Sequence, residues 1–262
     1  MGMNIGIIGF GKMGQLRKSV IDETNGHNVV AVCDPVPSKG AFRYTSHPDE
    51  IISSKDIDVI FVSTPNHLTK QFVVQSLDAG KHVFAEKPPG ISSVQVLEML
   101  AAEKRNPDRK LMFGFNHRYH ESVMEVKRQI DSGEFGNILW MRGRYGKSVD
   151  ESFYDEWRAS RDLAGGGILM DQGIHMLDLL MYFAGGFDEV KSFCSNFYWK
   201  LDVEDNVFAM LKNNRNNVVA SLHSTMTQWR HLFAIGRQSR EFMQKFWSDR
   251  MVVERLIGVY QQ

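Results

Sequence analysis

The chain has 262 residues, of which 43% are hydrophobic and 24% charged, a composition typical of a globular protein with one large or two moderate domains. Its 31 basic and 31 acidic residues cancel, which gives no support to nucleic acid or an anionic membrane as a partner. No apolar stretch reaches membrane-spanning length, the N-terminus lacks a signal-peptide pattern, and Cys33 and Cys194 form no metal-spaced cluster. We therefore expect a cytoplasmic protein without a metal site.

The first informative motif is a glycine-rich turn. Residues 4–9 are predicted as a buried parallel strand, and Gly9-Phe10-Gly11-Lys12-Met13-Gly14 follows it directly. Residues 15–21 are predicted as a helix and residues 29–33 as a second strand, which ends at Asp34. Such a unit binds a dinucleotide, because the helix N-terminus attracts the pyrophosphate and the acid accepts from the ribose hydroxyls. We predict that the six residues of the turn and Asp34 contact this cofactor.

Asp34 also indicates which nicotinamide cofactor binds. A carboxylate at this position repels the additional phosphate of NADP, and Pro35 stands where an arginine could have bound that phosphate. The sequence therefore favours NAD. Lys39 and Arg43 lie close enough in the chain to keep NADP as the alternative.

Two further loops are predicted at the carboxyl ends of parallel strands, where ligands collect in open α/β sheets. Ser63-Thr64-Pro65-Asn66-His67 follows the predicted strand 58–62 and should lie along the cofactor, although His67 also fits a loop histidine that begins the next helix. Glu86-Lys87-Pro88-Pro89 follows a predicted helix (70–79) and strand (81–85). Because each proline restricts the residue before it, Lys87 should be held extended, where it can donate a hydrogen bond to a substrate oxygen.

A third motif runs from Gly165-Gly166-Gly167 to His175 and contains Asp171. On a helix or helical turn, residues four apart lie on the same side, so the carboxylate and the imidazole should point the same way. Histidine titrates near neutral pH, and oxidation of a carbinol needs a base for the hydroxyl proton. The alternative is a core histidine on the apolar helix predicted at 175–183.

These three motifs, in this order, resemble the Gfo/Idh/MocA family, which includes glucose–fructose oxidoreductase and inositol dehydrogenase. The resemblance covers residues 3–230 and extends to Asn116-His117-Arg118-Tyr119 and Trp157-Arg158. It implies an α/β protein: a Rossmann domain, then an α/β domain whose open, mainly antiparallel sheet covers the nicotinamide and often forms the dimer interface. It also implies that Lys87 orients the substrate oxygen, that Asp171 supports the substrate or the proton relay, and that His175 is the general acid/base.

We expect an NAD(P)-binding Rossmann domain at 1–118 and a substrate-binding and oligomerisation domain at 119–262. Elements predicted for the second domain are a helix at 122–132, a strand at 138–145, a loop at 146–167, the helix through His175, strands at 190–199, 207–211 and 218–225, and a hairpin tip at 213–217. From about residue 234 the family pattern breaks. We interpret 241–256 as an amphipathic helix that replaces missing strands, or as an aberrant tail on a truncated gene product, with the sheet left incomplete.

The sequence thus predicts an NAD-dependent dehydrogenase that acts on a secondary hydroxyl or carbonyl of a sugar, nucleotide sugar or cyclitol, as a homo-oligomer. The alternatives are a non-catalytic NAD(P)-binding sensor and a reductase of a non-sugar substrate. The predicted cofactor contacts are Gly9, Phe10, Gly11, Lys12, Met13, Gly14, Asp34, Ser63, Thr64, Pro65, Asn66, His67, Glu86, Lys87 and Asn116. The predicted substrate contacts are Lys87, Arg118, Tyr119, Arg144, Trp157, Arg158, Asp171 and His175.

Overall fold

Six parallel strands form the first sheet of the computed structural model, which describes residues 2–228. Their order in the sheet is β3-β2-β1-β4-β5-β6. The chain order reverses between β1 and β4, and ligands of open α/β sheets bind outside the carboxyl ends of the strands at such a reversal. The strands are β1 (Asn4–Ile8), β2 (Asn28–Cys33), β3 (Arg43–Thr45), β4 (Val59–Val62), β5 (His82–Ala85) and β6 (Leu111–Phe113).

Four helices connect these strands. They are α1 (Lys12–Asp22), α2 (Pro48–Ile52), α3 (Asn66–Asp78) and α4 (Ser93–Arg105). The predicted start of α3 at residue 70 was wrong, because Pro65 precedes the first helical turn and Asn66 begins it. Strand β3 and helices α2 and α4 were not predicted from the sequence. The short strand β3 and the single-turn helix α2 carry too few residues to show a clear period.

The central strands of the first sheet are buried on both faces. Ile7 and Ile8 are adjacent in β1, point to opposite faces and belong to two separate clusters of buried apolar side chains. Ile60 and Val62 of β4 extend one of these clusters. A sheet covered on both faces explains why these strands appear in the sequence as continuous apolar runs rather than alternating ones.

The second sheet contains four strands in the order β7-β10-β9-β8. The β7–β10 pair is parallel, whereas β10–β9 and β9–β8 are antiparallel. The sheet is therefore mixed, and the predicted α/β class with two different sheets is confirmed. Helix α7 packs its Leu180 against Leu211 and Leu222 on one face. The strands and helices of this region are α5 (Glu121–Ser132), β7 (Trp140–Val149), α6 (Arg161–Ala164), α7 (Ile174–Ala184), β8 (Glu189–Ser195), β9 (Asn206–Lys212) and β10 (Val219–Gln228).

Two predicted boundaries in this region were wrong. Strand β7 continues through Gly146 to Val149, because β10 pairs with it residue by residue along its whole length. The rest of the predicted loop 146–167 forms short helical turns at Glu151–Asp155, Trp157–Ala159 and α6. Strand β8 ends at Ser195, since the carboxylate of Asp205 accepts hydrogen bonds from the backbone N–H groups of residues 197–199 and turns the chain.

The segment that joins the two sheets contains a short 3₁₀ helix, Asn116–Tyr119. We propose that the boundary between the two domains lies at residues 118–119, at the end of this turn. The tail from about residue 234 and the helix predicted at 241–256 lie outside the described residues. Within residues 2–228, no helix is both long and apolar enough to cross a membrane.

Candidate active site

A cavity of about 860 Å³ lies where the carboxyl ends of the first sheet face the second sheet. From the first sheet it is lined by the glycine-rich turn, the segment after β4 and the segment after β5. From the second region it is lined by β7, the turn at residues 156–158 and the segment that carries Asp171 and His175. The cavity thus brings together the three motifs that the sequence analysis singled out.

Most of the predicted site residues line this cavity. On the cofactor side they are Gly9, Gly11, Lys12, Met13, Asp34, Ser63, Thr64, Pro65, Asn66, Glu86, Lys87 and Asn116, and on the substrate side Lys87, Trp157, Arg158, Asp171 and His175. The lining does not include Phe10, Gly14, His67, Arg118, Tyr119 or Arg144.

The three glycines of the turn differ in their surroundings. Gly9 has a φ of +88°, and a Cβ there would lie 2.6 Å from the backbone of Ser63. A Cβ on Gly14 would lie 2.2 Å from the carbonyl oxygen of Gly9, so this glycine allows α1 to pack closely against the turn. Gly11 has nothing within 4 Å of a built Cβ and faces the cavity. Of these three glycines, Gly11 is the one with open space for a ligand beside it.

The N-terminus of α1 is suited to hold the pyrophosphate of a dinucleotide. Gly11 is its N-cap residue, and no side chain caps the first helical turn. The free N–H groups and the positive end of the helix dipole attract anions. Lys12 adds a positive charge at the same point of the cavity. The residues present therefore fit an NAD-type cofactor.

Asp34 follows β2 and lines the cavity beside the turn. One carboxylate oxygen accepts a hydrogen bond of 2.7 Å from the N–H of Phe10, and the other accepts one of 2.9 Å from the N–H of Val36. These bonds fix the carboxylate and leave lone pairs for a ribose hydroxyl. Arg43, a residue that could favour NADP, instead donates a hydrogen bond to Ser54.

Asp171 is surrounded by three cationic side chains. The ammonium of Lys87 donates to the Asp171 carbonyl oxygen at 2.6 Å and lies 3.3 Å from Oδ1. Lys147 donates to Oδ2 at 3.3 Å, and Nε of Arg158 lies 3.9 Å from Oδ1. Burial alone would raise the pKa of Asp171, but the attraction of Lys87 and Lys147 lowers it below its ordinary value. Asp171 is therefore ionised and fixes the ammonium group of Lys87.

The triple glycine allows the chain to pass close to Ile91 on one side and to the backbone of Glu204 further along. Gly165 has a φ of +82°, and a Cβ there would lie 2.7 Å from Ile91. A Cβ on Gly167 would lie 1.9 Å from the carbonyl oxygen of Glu204. The chain then forms a π-helical turn at Leu169–Gly173 and enters α7. This path places Asp171 and His175 on the same wall of the cavity.

His175 lies in the first turn of α7 with 6% of its surface exposed. Burial, together with the nearby charges of Lys87 and His117, lowers the pKa of its imidazole to about 4. The Nδ1 atom is buried and has no hydrogen-bond partner among the described residues. At neutral pH the imidazole of His175, which lines the cavity, is consequently uncharged.

Several cavity residues were not predicted as site residues. Tyr145 and Lys147 are two residues apart in β7 and therefore point to the same face, but the sequence analysis ended this strand at residue 145. His117 stacks on His175, with ring centroids 4.2 Å apart. The 3₁₀ turn Asn116–Tyr119 is too short to show a periodic pattern from which this contact could be predicted.

Arg118 and Tyr119, which were predicted to contact the substrate, do not line the cavity. Arg118 forms an ion pair with the largely buried Asp178, its Nε lying 2.8 Å from Oδ2, and its guanidinium lies over the ring of Tyr182. Tyr119 is 61% exposed. His67 lies in the first turn of α3 with a buried, unpartnered Nδ1 among the described residues.

Two family models match the chain. The model described as an oxidoreductase family with an NAD-binding Rossmann fold matches residues 3–115. The model described as the GFO/IDH/MocA C-terminal domain matches residues 123–241. The two matches follow one another and correspond to the two sheets.

Dehydrogenases of sugars and of inositol are among the curated relatives. Levoglucosan dehydrogenase of Pseudarthrobacter phenanthrenivorans is 30% identical over 74% of this chain and 54% of its own length. D-glucoside 3-dehydrogenase of Escherichia coli is 30% identical over 77% of this chain and 59% of its own length. Inositol 2-dehydrogenase of Salmonella typhimurium is 32% identical over 55% of this chain and 46% of its own length. The chain thus spans about half the length of the curated relatives that it matches.

Solved structures agree with this similarity. Levoglucosan dehydrogenase in complex with NADH superposes with a TM-score of 0.79 at 28% identity and covers 86% of this chain and 67% of its own. The myo-inositol 2-dehydrogenase of Lactobacillus plantarum superposes with a TM-score of 0.78 at 26% identity. The superposition covers 87% of this chain and 71% of that protein's chain.

Proposed function

The chain belongs to the Gfo/Idh/MocA family of NAD-binding oxidoreductases, and on that premise we propose that it oxidises a secondary hydroxyl of a sugar, nucleotide sugar or cyclitol with NAD. One observation carries this proposal. Lys87, Asp171 and His175 line the same cavity as the uncapped N-terminus of α1. A dinucleotide site and a proton-transfer site therefore share one space.

Each of the three residues has a distinct part in this chemistry. Lys87 donates a hydrogen bond to the oxygen of the reacting carbinol, and its link to Asp171 holds the ammonium group in place. His175 removes the hydroxyl proton, because a neutral imidazole is a base whereas an imidazolium is not. NAD, when bound, supplies the hydride acceptor. Trp157 and Arg158 line the same part of the cavity and are proposed to contact the substrate.

NAD rather than NADP is the proposed cofactor. The support is the carboxylate of Asp34, which lines the cavity and is held there by two backbone hydrogen bonds. It can accept from the ribose hydroxyls and repels a phosphate at the same place. The structural relatives include a dehydrogenase solved with NADH.

The proposed activity is tested with a panel of cyclitols, anhydrosugars, glycosides and nucleotide sugars, each with NAD, by following NADH absorbance. We expect turnover with at least one member, and its loss in Lys87→Ala and His175→Ala. Lys104→Ala and His47→Ala are matched controls, since both residues are exposed and outside the cavity. Cofactor binding by calorimetry without turnover on any member would instead favour a non-catalytic sensor.

We also propose that the protein forms homo-oligomers through the outer face of the second sheet. Large apolar side chains are exposed there and neighbour each other across the strands: Phe193 pairs with Phe208, and Met210 lies two residues further along β9. Phe193 is 81% exposed, and apolar patches of this kind favour association. Light scattering on Phe193→Glu should show a smaller species than on the unchanged chain.

The proposed location is the cytoplasm. Cys33 and Cys194 are free thiols in different sheets, as expected in a reducing compartment. Cell fractionation with an antibody to the chain tests this location.

A further inference from the structure

The imidazole of His117 lies face to face against that of His175. The ring centroids are 4.2 Å apart, and the two planes differ by 17°. The edge of Tyr145 meets the His117 ring at 5.4 Å and that of His175 at 6.3 Å. Phe115 meets His175 edge-on from another side at 6.3 Å. The ring of His175 is thus enclosed by three aromatic side chains.

Among residues 2–228, no hydrogen bond to Nδ1 orients the ring of His175. Histidines that act as bases or metal ligands are usually held by a bond from the second ring nitrogen to a carbonyl or carboxylate. In His175 that nitrogen, Nδ1, is buried and unpartnered among the described residues. Asp171, four residues earlier, directs its carboxylate to Lys87 and Lys147 instead. The plane of the His175 ring is therefore set by its packing, and His117 is the one of the three rings that stacks face to face against it.

We propose that His117 is a positioning residue for the base: its stacked imidazole fixes the ring plane of His175, and the two stacked rings hold at most one positive charge between them. This inference rests on the function proposed above for His175. Two imidazolium groups in such a stack repel each other, so the pair resists a second proton. With His117 neutral, His175 can take up the one proton that it removes from the substrate hydroxyl.

The charges around the pair are consistent with this role. Burial is the largest cause that lowers the pKa of His117 and of His175, and the charge of Lys87 lowers both pKa values further. The charge of Asp171 raises the pKa of His175, and that of Asp178 raises the pKa of His117. The carboxylate of Asp178 is itself paired with Arg118. The ring centroid of His120 lies 5.5 Å from that of His117, and the charge of His120 also lowers the pKa of His117. Tyr145 faces both rings.

Two variants separate orientation from charge. His117→Phe keeps a flat ring in the stack, whereas His117→Gln removes the ring. With a substrate from the panel, we expect His117→Phe to retain kcat within about threefold and His117→Gln to lose about tenfold in kcat with little change in KM, a fraction of the effect of a general base. Equal kcat values in both variants and in the unchanged protein would overturn the positioning role, and so would equal losses in both. Melting curves identify any variant that does not fold, and His47→Gln is the control.

A second readout needs neither substrate nor cofactor. Histidine ring resonances are titrated by NMR, and the His175 signal is assigned by its loss in His175→Gln. We expect its midpoint near the value of about 4 that burial and the surrounding charges produce, and a shift to higher pH in His117→Gln, where the repelling charge is absent. An unchanged midpoint would overturn the electrostatic part of the inference. Because no turnover is measured, this result stands whether or not the proposed dehydrogenase activity is found.

Discussion

The ammonium of Lys87 donates a 2.6 Å hydrogen bond to the carbonyl oxygen of Asp171 and lies 3.3 Å from its carboxylate. Lys87 follows β5 of the first sheet, and Asp171 lies in the π-helical turn beside the second. The side chains of Lys87 and Asp171 are only 18% and 13% exposed. Their contact therefore links the two halves of the molecule at the point where we propose that the substrate reacts.

Lys147, which shares the Asp171 carboxylate with Lys87, provides the first prediction. Replacing it by Gln removes one of the cations that lower the pKa of Asp171 and a donor that faces the cavity. We expect kcat/KM for the best substrate to fall about tenfold, corresponding to about 1.4 kcal/mol of transition-state stabilisation. Steady-state kinetics measure the change, and Lys104→Gln should leave kcat/KM unaltered. An undiminished kcat/KM in the Lys147 variant would show that this ammonium does not act on the substrate.

The second prediction concerns the pH dependence of stability. The pKa of His175 in the folded protein, about 4, lies below its ordinary value of 6.5, mainly because the ring is buried. The unfolded chain therefore binds a proton at higher pH than the folded one, and the free energy of unfolding decreases as pH falls from 6.5 toward 4. Denaturant unfolding at several pH values should show a shallower decrease in His175→Gln. Parallel pH profiles for the variant and the unchanged protein would contradict the burial of a neutral imidazole.

Cofactor choice gives the third prediction. A charge-assisted hydrogen bond from a ribose hydroxyl to Asp34 contributes about 1.5–3 kcal/mol, so NAD should bind at least about tenfold more tightly than NADP. In Asp34→Ser the ratio of the two dissociation constants, measured by calorimetry, should approach one. Because Asp34 also accepts from the N–H of Phe10, melting curves of the variant serve as the folding control. Equal affinities for NAD and NADP in the unchanged protein would refute the assignment.

The glycines of the Asp171 motif provide a stability test. Alanine at position 167 would place a Cβ 1.9 Å from the carbonyl oxygen of Glu204, and overpacking of this kind costs about 1–3 kcal/mol. Gly186 has open space around a built Cβ, so Gly186→Ala should change the free energy of unfolding by less than about 1 kcal/mol. Chemical denaturation compares the two. Equal stability of the variants would mean that Gly167 does not pass as close to Glu204 as described.

The parts of the site that follow from local sequence rules agree with the structure. Gly9 and Gly11 lie between β1 and α1, and Gly14 lies in the first turn of α1. A Cβ at Gly9 or Gly14 would clash with backbone atoms, whereas the space beside Gly11 is open. Asp171 and His175 share a wall of the cavity because four residues complete about one helical turn. These features depend on neighbours in the chain, so the sequence was sufficient to predict them.

The contacts made by tertiary packing could not be predicted in the same way. Lys147 meets Asp171 because β10 extends β7 beyond Gly146, and no local pattern encodes that pairing. His117 meets His175 across the joint between the two sheets. Arg118, predicted as a substrate contact, pairs with Asp178 sixty residues later. Long-range partners of charged and aromatic side chains are the information that the sequence alone did not contain.

We propose that His175 is the base for oxidation of a bound carbinol. Its most direct test is single-turnover formation of NADH by His175→Ala and by the unchanged protein, with NAD and substrate both saturating. We expect the variant to bind NAD with an unchanged dissociation constant but to form NADH at least about a hundredfold more slowly. NADH formation at the same rate in both proteins would contradict it.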